Sequence, residues 1–420
     1  MRTLLAICLI VSSLFAKGQN SVLEGFVIDD ETNEPIYGII IEHNNVIISF
    51  SDDNGRFVVQ TDTLQWNDSI TFRHLSYHNV TLPLKNLSND SIVRLKSSYY
   101  ELDAITIQPE SQKKRINAII KQFRRSSLQN PYWTDIHQTQ SIILNGKPSG
   151  YIECTGKMFN LGLSETIPYM GNVLYPEHVR RTKEDVKYLD QQILRISEHT
   201  LLYHLYRFFD VAHPLGSYNK NFVFSVDSAF VSNNKSYLAV SFQLKKHSNY
   251  HLRDMANFNG HMWIDIETNS LEKLLGSFNF RSVFTQLEIN YGKCDSYIVP
   301  QTIHLFHIHE QTVRGRRQPQ KVLSENYISI TAMAHSLMKK YKGEYGTIVY
   351  HPILIPGMPY EPEYWSQYPN KHGITDQQFI EGVNEQIFIN ELTKQKMDLF
   401  HQIDRQIKNE IKGLTWKRIE

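Results

Sequence analysis

The chain has 420 residues, of which 41% are hydrophobic and 21% charged, with a formal net charge of +1. That is the composition of an ordinary globular protein with room for two or three domains. The near balance of charge excludes a dedicated nucleic-acid binder, which carries a strong basic excess. Aromatic residues reach 12%, with 23 Tyr, a bias toward strands over helix bundles.

The first residues read as an export signal. Arg2 supplies the positive end, residues 4–15 the short apolar core, and cleavage is expected after Ala16 or Gly18. About 12 apolar residues are too few to cross roughly 30 Å of hydrocarbon. No later stretch is apolar enough to span as a helix, so the mature chain is expected to carry no transmembrane helix. Cys8 leaves with the signal. Cys154 and Cys294 remain, and both a disulfide formed in an oxidising compartment and two separately buried thiols fit. The absence of Cys-x-x-Cys argues against a structural zinc or redox centre.

Residues 23–59 alternate strand-like runs with turns. Residues 39–41 and 46–50 are strand-like runs rich in β-branched residues, Pro35 lies in an acidic turn, and Asn54-Gly55 is a hairpin signal. The set Gly25, Val27, Asp29, Thr32, Pro35, Ile36, Gly38, Ser51, Asp53, Gly55 and Phe57 resembles the carboxypeptidase regulatory-like domain, a small immunoglobulin-like β-sandwich. That family is common at the start of envelope proteins of Bacteroidetes-type bacteria. The resemblance implies a structural or adhesive role and no catalysis. Residues 69–72 and 91–95 read as further sandwich strands. Tyr77 matches the family's inward-packing Tyr, with Ser76 where the family has Gly, and residues 99–107 resemble its closing strand.

Within residues 113–130, Ile116, Ile119, Ile120 and Phe123 fall on one helical face, with Lys113, Lys114, Arg115, Lys121, Arg124 and Arg125 on the others. That basic set fits a solvated face or contact with anionic lipid, and Pro131 ends the helix. Strands are expected at 141–144, 151–159, 221–226, 236–243, 261–266, 271–280, 286–291 and 302–309, with a hairpin loop at 145–150 and a helical insertion at 184–209. The hairpin from Gly260 through Trp263 and Asp265 to Lys273 resembles one seen in curled-sheet lipoprotein-carrier-like domains of the bacterial envelope. Its turn, 267–270, is expected to be closed by the Asn269 side chain. Residues 355–365 are too Pro-rich for regular structure and should lie extended, with their aromatics pinned to the body. Thr375 and Gln378 form a capping box before an apolar stripe of Phe379, Ile380, Val383 and Ile387. A second stripe, Phe400, Ile403, Ile407 and Ile411, either folds back on the sheet or docks a partner helix.

The expected fold is mainly β with helices: an N-terminal immunoglobulin-like sandwich, then a curled antiparallel sheet covered by helices. The expected divisions are a signal at 1–18, the sandwich at 19–109, a linker helix at 110–131, the sheet at 132–340, and a Pro-rich segment and helix at 341–420. His304, His307 and His309 lie on one strand, with His307 and His309 on one face. Two such His can begin a zinc site, but nothing supplies a third ligand, and exposed strand histidines on a polar face explain them. No His-Glu-x-x-His, Gly-x-Ser-x-Gly or phosphate loop occurs, the turn 52–55 lacks calcium-loop spacing, and Arg314, Arg316 and Arg317 fit a hairpin tip. No catalytic residue, cofactor or metal ligand is therefore assigned. The leading expectation is a non-enzymatic, exported envelope protein of the periplasm or outer membrane. Its curled sheet would bind a lipid or an envelope protein, with Trp263 and Phe278 as candidate wall residues. The alternatives are a protein- or glycan-binding accessory of an outer-membrane uptake system, and a hydrolase with an unrecognised site.

Overall fold

The computed structural model describes residues 22–44, 46–52, 54–61, 64–74, 77–97, 109–144, 147–160, 162, 173–182, 213–232, 235–246, 256–280, 283–311, 320–336, 359–368, 374–383 and 408–420. The chain divides into two compact units, Met1–Tyr99 with Asn145–Lys147, and Tyr100–Leu144 with Pro148–Glu420. The export signal, the insertion at 184–209, the basic loop at 314–317, and Ile387, Phe400, Ile403 and Ile407 lie outside the described residues.

The first unit holds β1 (Val22–Asp29), β2 (Ile40–His43), β3 (Val46–Phe50), β4 (Arg56–Gln60), β5 (Ser69–Arg73), β6 (Val80–Pro83) and β7 (Ser91–Leu95). They make two sheets, β4-β1-β7 and β3-β2-β5-β6. Leu23, Val27, Phe57, Val59, Val93 and Leu95 from one sheet share a core with Ile41, Ile70 and Phe72 from the other. The period-two alternation read from the sequence is what fills this sandwich. At the β3–β4 turn Gly55 has φ +71°, the left-handed region that glycine enters without strain. The Asp52 carboxylate closes the same turn by accepting from the Asn54 and Arg56 N–H groups, both at 3.0 Å. Tyr77 packs against the sandwich core and its hydroxyl donates to Asp29 at 2.9 Å.

The second unit opens with α1 (Pro109–Ser126), followed by β8 (Tyr132–Leu144), β9 (Lys147–Asn160), β10 (Val173–Arg181), β11 (Phe222–Ser232), β12 (Lys235–Leu244), β13 (Ala256–Asp265) and β14 (Leu271–Phe280). Then come β15 (Val283–Cys294), β16 (Tyr297–Gln311), β17 (Gln320–His335), α2 (Pro362–Trp365), α3 (Asp376–Val383) and β18 (Lys417–Arg418). The strands form one curled antiparallel sheet of 11 strands in the order β10-β9-β8-β17-β16-β15-β14-β13-β12-β11, with β18 on β17. β11 to β17 is a meander in which each strand pairs with the one before it, and β17 then joins β8. The described part of the tail folds back on the sheet: Lys293 and Glu420 exchange two backbone hydrogen bonds of 2.9 Å, and Ile419 is buried.

Three local readings need correction. The 267–270 turn is closed by Asp265, whose carboxylate accepts from the Glu267 and Thr268 N–H groups at 2.9 Å. Asn269 instead supplies the positive φ, +57°. Residues 362–365 form one helical turn, because Pro362 occupies its first position, where a missing N–H costs nothing. The capping box does open α3, with the Gln378 side chain accepting from the Thr375 N–H at 2.7 Å. Of its expected stripe Phe379 is buried, but Ile380 is exposed.

Candidate ligand-binding face

Register turns the strand pattern into rows across the sheet. Val226, Val240, Met262, Leu274, Ile289, Ile303 and Ile328 stand opposite one another on seven successive strands, β11 to β17, and all are buried. This inner face also receives α1, whose Ile116, Ile119 and Phe123 join the same core as expected from their spacing. Arg115 and Arg124 reach from α1 to the carbonyls of Ile266 and Gly216. Phe123 stacks on His213 at 4.3 Å, and His213 is hydrogen-bonded to the Tyr291 hydroxyl at 2.9 Å. Burial pushes the His213 pKa down to about 3, so it is neutral at pH 7.

The next row is Phe224, Phe242, Gly260, Gly276, Leu287, Leu305, Asn326 and Gln140. Of its two facing glycines, Gly276 makes room for a phenylalanine cluster and Gly260 for the close approach of the β14 backbone. A Cβ on Gly276 would come within 2.8 Å of the Phe258 ring, and one on Gly260 within 2.0 Å of the Leu275 carbonyl oxygen. Phe258 packs edge-on against Phe222, Phe242 and Phe278 with centroids 5.8, 5.1 and 5.3 Å apart. Aromatic pairs of this geometry each add about 0.5–1.5 kcal/mol beyond area burial.

The third row starts at Phe278 and runs through Thr285, His307 and Ser324 to Ile142. Here the inner face turns polar while staying closed to water. His307 shares a hydrogen bond of 2.9 Å with the Thr285 hydroxyl, and burial takes its pKa down to about 4. The Gln140 and Asn326 amide groups both donate to Ser324 Oγ at 3.2 Å. Asn326 is 0% exposed and its Oδ1 has no hydrogen-bond partner, and neither has the buried Oε1 of Gln138. Leaving one such acceptor unmet costs about 1–3 kcal/mol.

The outer face carries different chemistry. Glu153, buried on β9, pairs with Arg180 on β10 at 2.6 Å and is hydrogen-bonded to His137 at 2.6 Å and by the Tyr151 hydroxyl at 2.8 Å. Burial alone would raise its pKa, but these partners outweigh it and hold the carboxyl below its usual range. Arg180 in turn lies over the rings of Trp365 and Phe379, at 4.6 and 5.0 Å. Tyr364 stacks on His178 at 3.5 Å and bonds Thr155 at 2.6 Å. The aromatics of the 355–365 region that are described are thus pinned as expected, with a buried ion pair as the anchor. Glu153 Oε2 takes the Tyr151 hydroxyl and the Arg180 guanidinium while Oε1 meets His137, an arrangement that suits the pair to position α2 and α3.

Phe278 and Trp263 lie on opposite faces. Phe278 is 1% exposed in the inner core, whereas Trp263 stands on the outer side with Phe230 and Tyr237, under the Lys273 ammonium at 4.9 Å. One wall cannot hold both. His304 pairs with Glu325 at 2.7 Å on the outer face, and His307 is a buried inner residue, not an exposed one. Among the described residues no three His, Cys, Asp or Glu side chains converge to hold a metal. Cys154 and Cys294 are both free and buried, in separate clusters. The polar corner was missed, although Gln138 and Gln140, like Ser324 and Asn326, repeat at the two-residue spacing of one strand face.

No family model matches the chain, and no curated protein matches it. Among solved structures it is similar to a DUF1329 family protein from Desulfovibrio piger, at 10% identity over 54% of this chain and 93% of that one, with a TM-score of 0.28. An outer-membrane lipoprotein-sorting protein domain from Vibrio parahaemolyticus matches at 11% identity over 57% and 99%, with a TM-score of 0.29. A LolA superfamily protein from Nitrosomonas europaea matches at 6% identity over 51% and 92%, with a TM-score of 0.22. At these scores none of them fixes a function for this chain.

Proposed function

We propose that this chain is an exported, non-enzymatic envelope protein whose curled sheet takes up an apolar ligand on its inner face. The N-terminal sandwich, read as a carboxypeptidase regulatory-like domain, would serve as its docking or spacer unit. The observation that carries the reading is the apolar row crossing seven strands from Val226 to Ile328, flanked by the Phe222, Phe242, Phe258 and Phe278 cluster. A hydrocarbon chain laid there exchanges water for side chains of its own polarity. Burying four to eight methylenes contributes about 3–6 kcal/mol at roughly 0.8 per CH₂, enough for reversible carriage. The face is filled by its own side chains in this structure, so uptake requires α1 or the phenylalanines to give way. Phe278 is the proposed wall residue, and Trp263 lies outside the site. Protein purified from the envelope should release lipid into organic solvent, or bind a fluorescent fatty acid saturably. Protein that does neither, and instead retains an envelope protein through purification, would replace this reading with partner docking.

A further inference from the structure

The inner face changes character along its rows, apolar over β11–β14 and polar over part of β15, β16, β17 and β8. We propose that the polar corner formed by Thr285, His307, Ser324, Asn326 and Gln140 takes the uncharged hydroxyl- or amide-bearing head of an amphipathic ligand whose hydrocarbon tail lies along the apolar rows. This rests on the reading of the inner face given above and names the class of ligand.

The corner is continuous with the apolar site, since Phe278 stands directly opposite Thr285, Thr285 opposite His307, and His307 opposite Ser324. With strands about 4.8 Å apart it spans roughly 14 Å from β15 to β8, the scale of a glycerol- or amide-sized head. Its hydrogen bonding is incomplete in one specific way. Ser324 Oγ receives both the Gln140 and Asn326 amide groups, while the fully buried Asn326 keeps an unused carbonyl oxygen and Gln138 another. A hydroxyl or amide can donate to these acceptors and accept in turn, which a purely apolar ligand cannot.

Charge selects against an anionic head. None of the described residues forming the corner is a cation, and His307 is neutral at pH 7 because burial has lowered its pKa to about 4. Arg181 on β10, paired with Ile152 on β9, stands two strands beyond β8, about 10 Å to the side by strand spacing alone. A carboxylate or phosphate in the corner would lose its hydration without gaining an opposite charge. Asn326 is closed to water, so loading requires the cover to lift and is expected to be slow.

The test uses the full chain, stripped of lipid, at pH 7.5, with three probes below their micellar concentrations: 1-monooleoylglycerol, oleate and N-phenyl-1-naphthylamine. The expected result is monooleoylglycerol binding at least tenfold tighter than oleate, about 1.4 kcal/mol. Asn326→Leu, similar in volume, should cut that preference below threefold. Ser324→Ala should act in the same direction and stands in if Asn326→Leu does not fold. Equal binding of the two amphiphiles, tighter binding of oleate, or a preference that survives both variants would overturn the inference. If the naphthylamine binds and the head makes no difference, only this inference falls. If none of the three probes binds, the apolar-ligand reading falls with it.

Discussion

At the residue scale the Glu153–Arg180 pair makes the sharpest demand. Both side chains are nearly closed to solvent, at 3% and 4% exposure, so removing one partner strands the other. Glu153→Ala should destabilise the second unit by about 3–5 kcal/mol, measured by urea unfolding. Replacing both with Met should recover most of that loss, because a packed apolar pair needs no hydration. A Glu153→Ala variant of unchanged stability would contradict the buried network. Gly276→Ala sets its Cβ within 2.8 Å of Phe258, so overpacking should cost about 1–3 kcal/mol, again read by urea unfolding. These residues were poorly legible in the sequence. A Gly inside a strand signals close approach, but which ring approaches depends on register, and a Glu and an Arg 27 positions apart give no local sign of pairing.

At the scale of elements, α1 was legible because its apolar face repeats at helical spacing, and the buried set Ile116, Ile119 and Phe123 follows that spacing. The β13–β14 hairpin was legible because the turn residues between its strands are local chemistry. β10 and β17 were not named as strands. The inner face of β17 mixes Val322, Ser324, Asn326 and Ile328, which blurs the alternation that marks a strand. Phe123→Ala should detach α1 and cost about 3–5 kcal/mol, and hydrogen exchange across 109–126 should then speed up. Unchanged protection there would contradict the docking. Acid should act on the same region. His213 and His307 are neutral in the fold, with pKa values lowered to about 3 and about 4. The unfolded chain takes up their protons below about pH 6.5, whereas the folded chain does not. Stability is therefore complete above that pH and falls as the pH drops toward 4, by up to about 1.4 kcal/mol per pH unit for each. His307→Gln should flatten the dependence by one such slope between pH 6 and 4.5, and an unaltered slope would contradict burial of a neutral imidazole.

At the scale of the whole molecule, a sandwich followed by a curled antiparallel sheet was readable from strand patterning, since alternation and turn residues are local. Which residues share a face across the large sheet was not, because rows are set by pairing between strands distant in sequence, such as β17 with β8. That is why Trp263 and Phe278 looked like one wall and stand on two faces. The account as a whole rests on the inner face being the site of an apolar ligand. The direct measurement is saturation binding of the uncharged fluorescent probe N-phenyl-1-naphthylamine to the lipid-stripped chain, repeated with Phe278→Asp and with Trp263→Ala. The account predicts saturable binding that Phe278→Asp abolishes and Trp263→Ala leaves unchanged. Binding that ignores Phe278 and is lost with Trp263 would contradict it, as would no saturable binding at all.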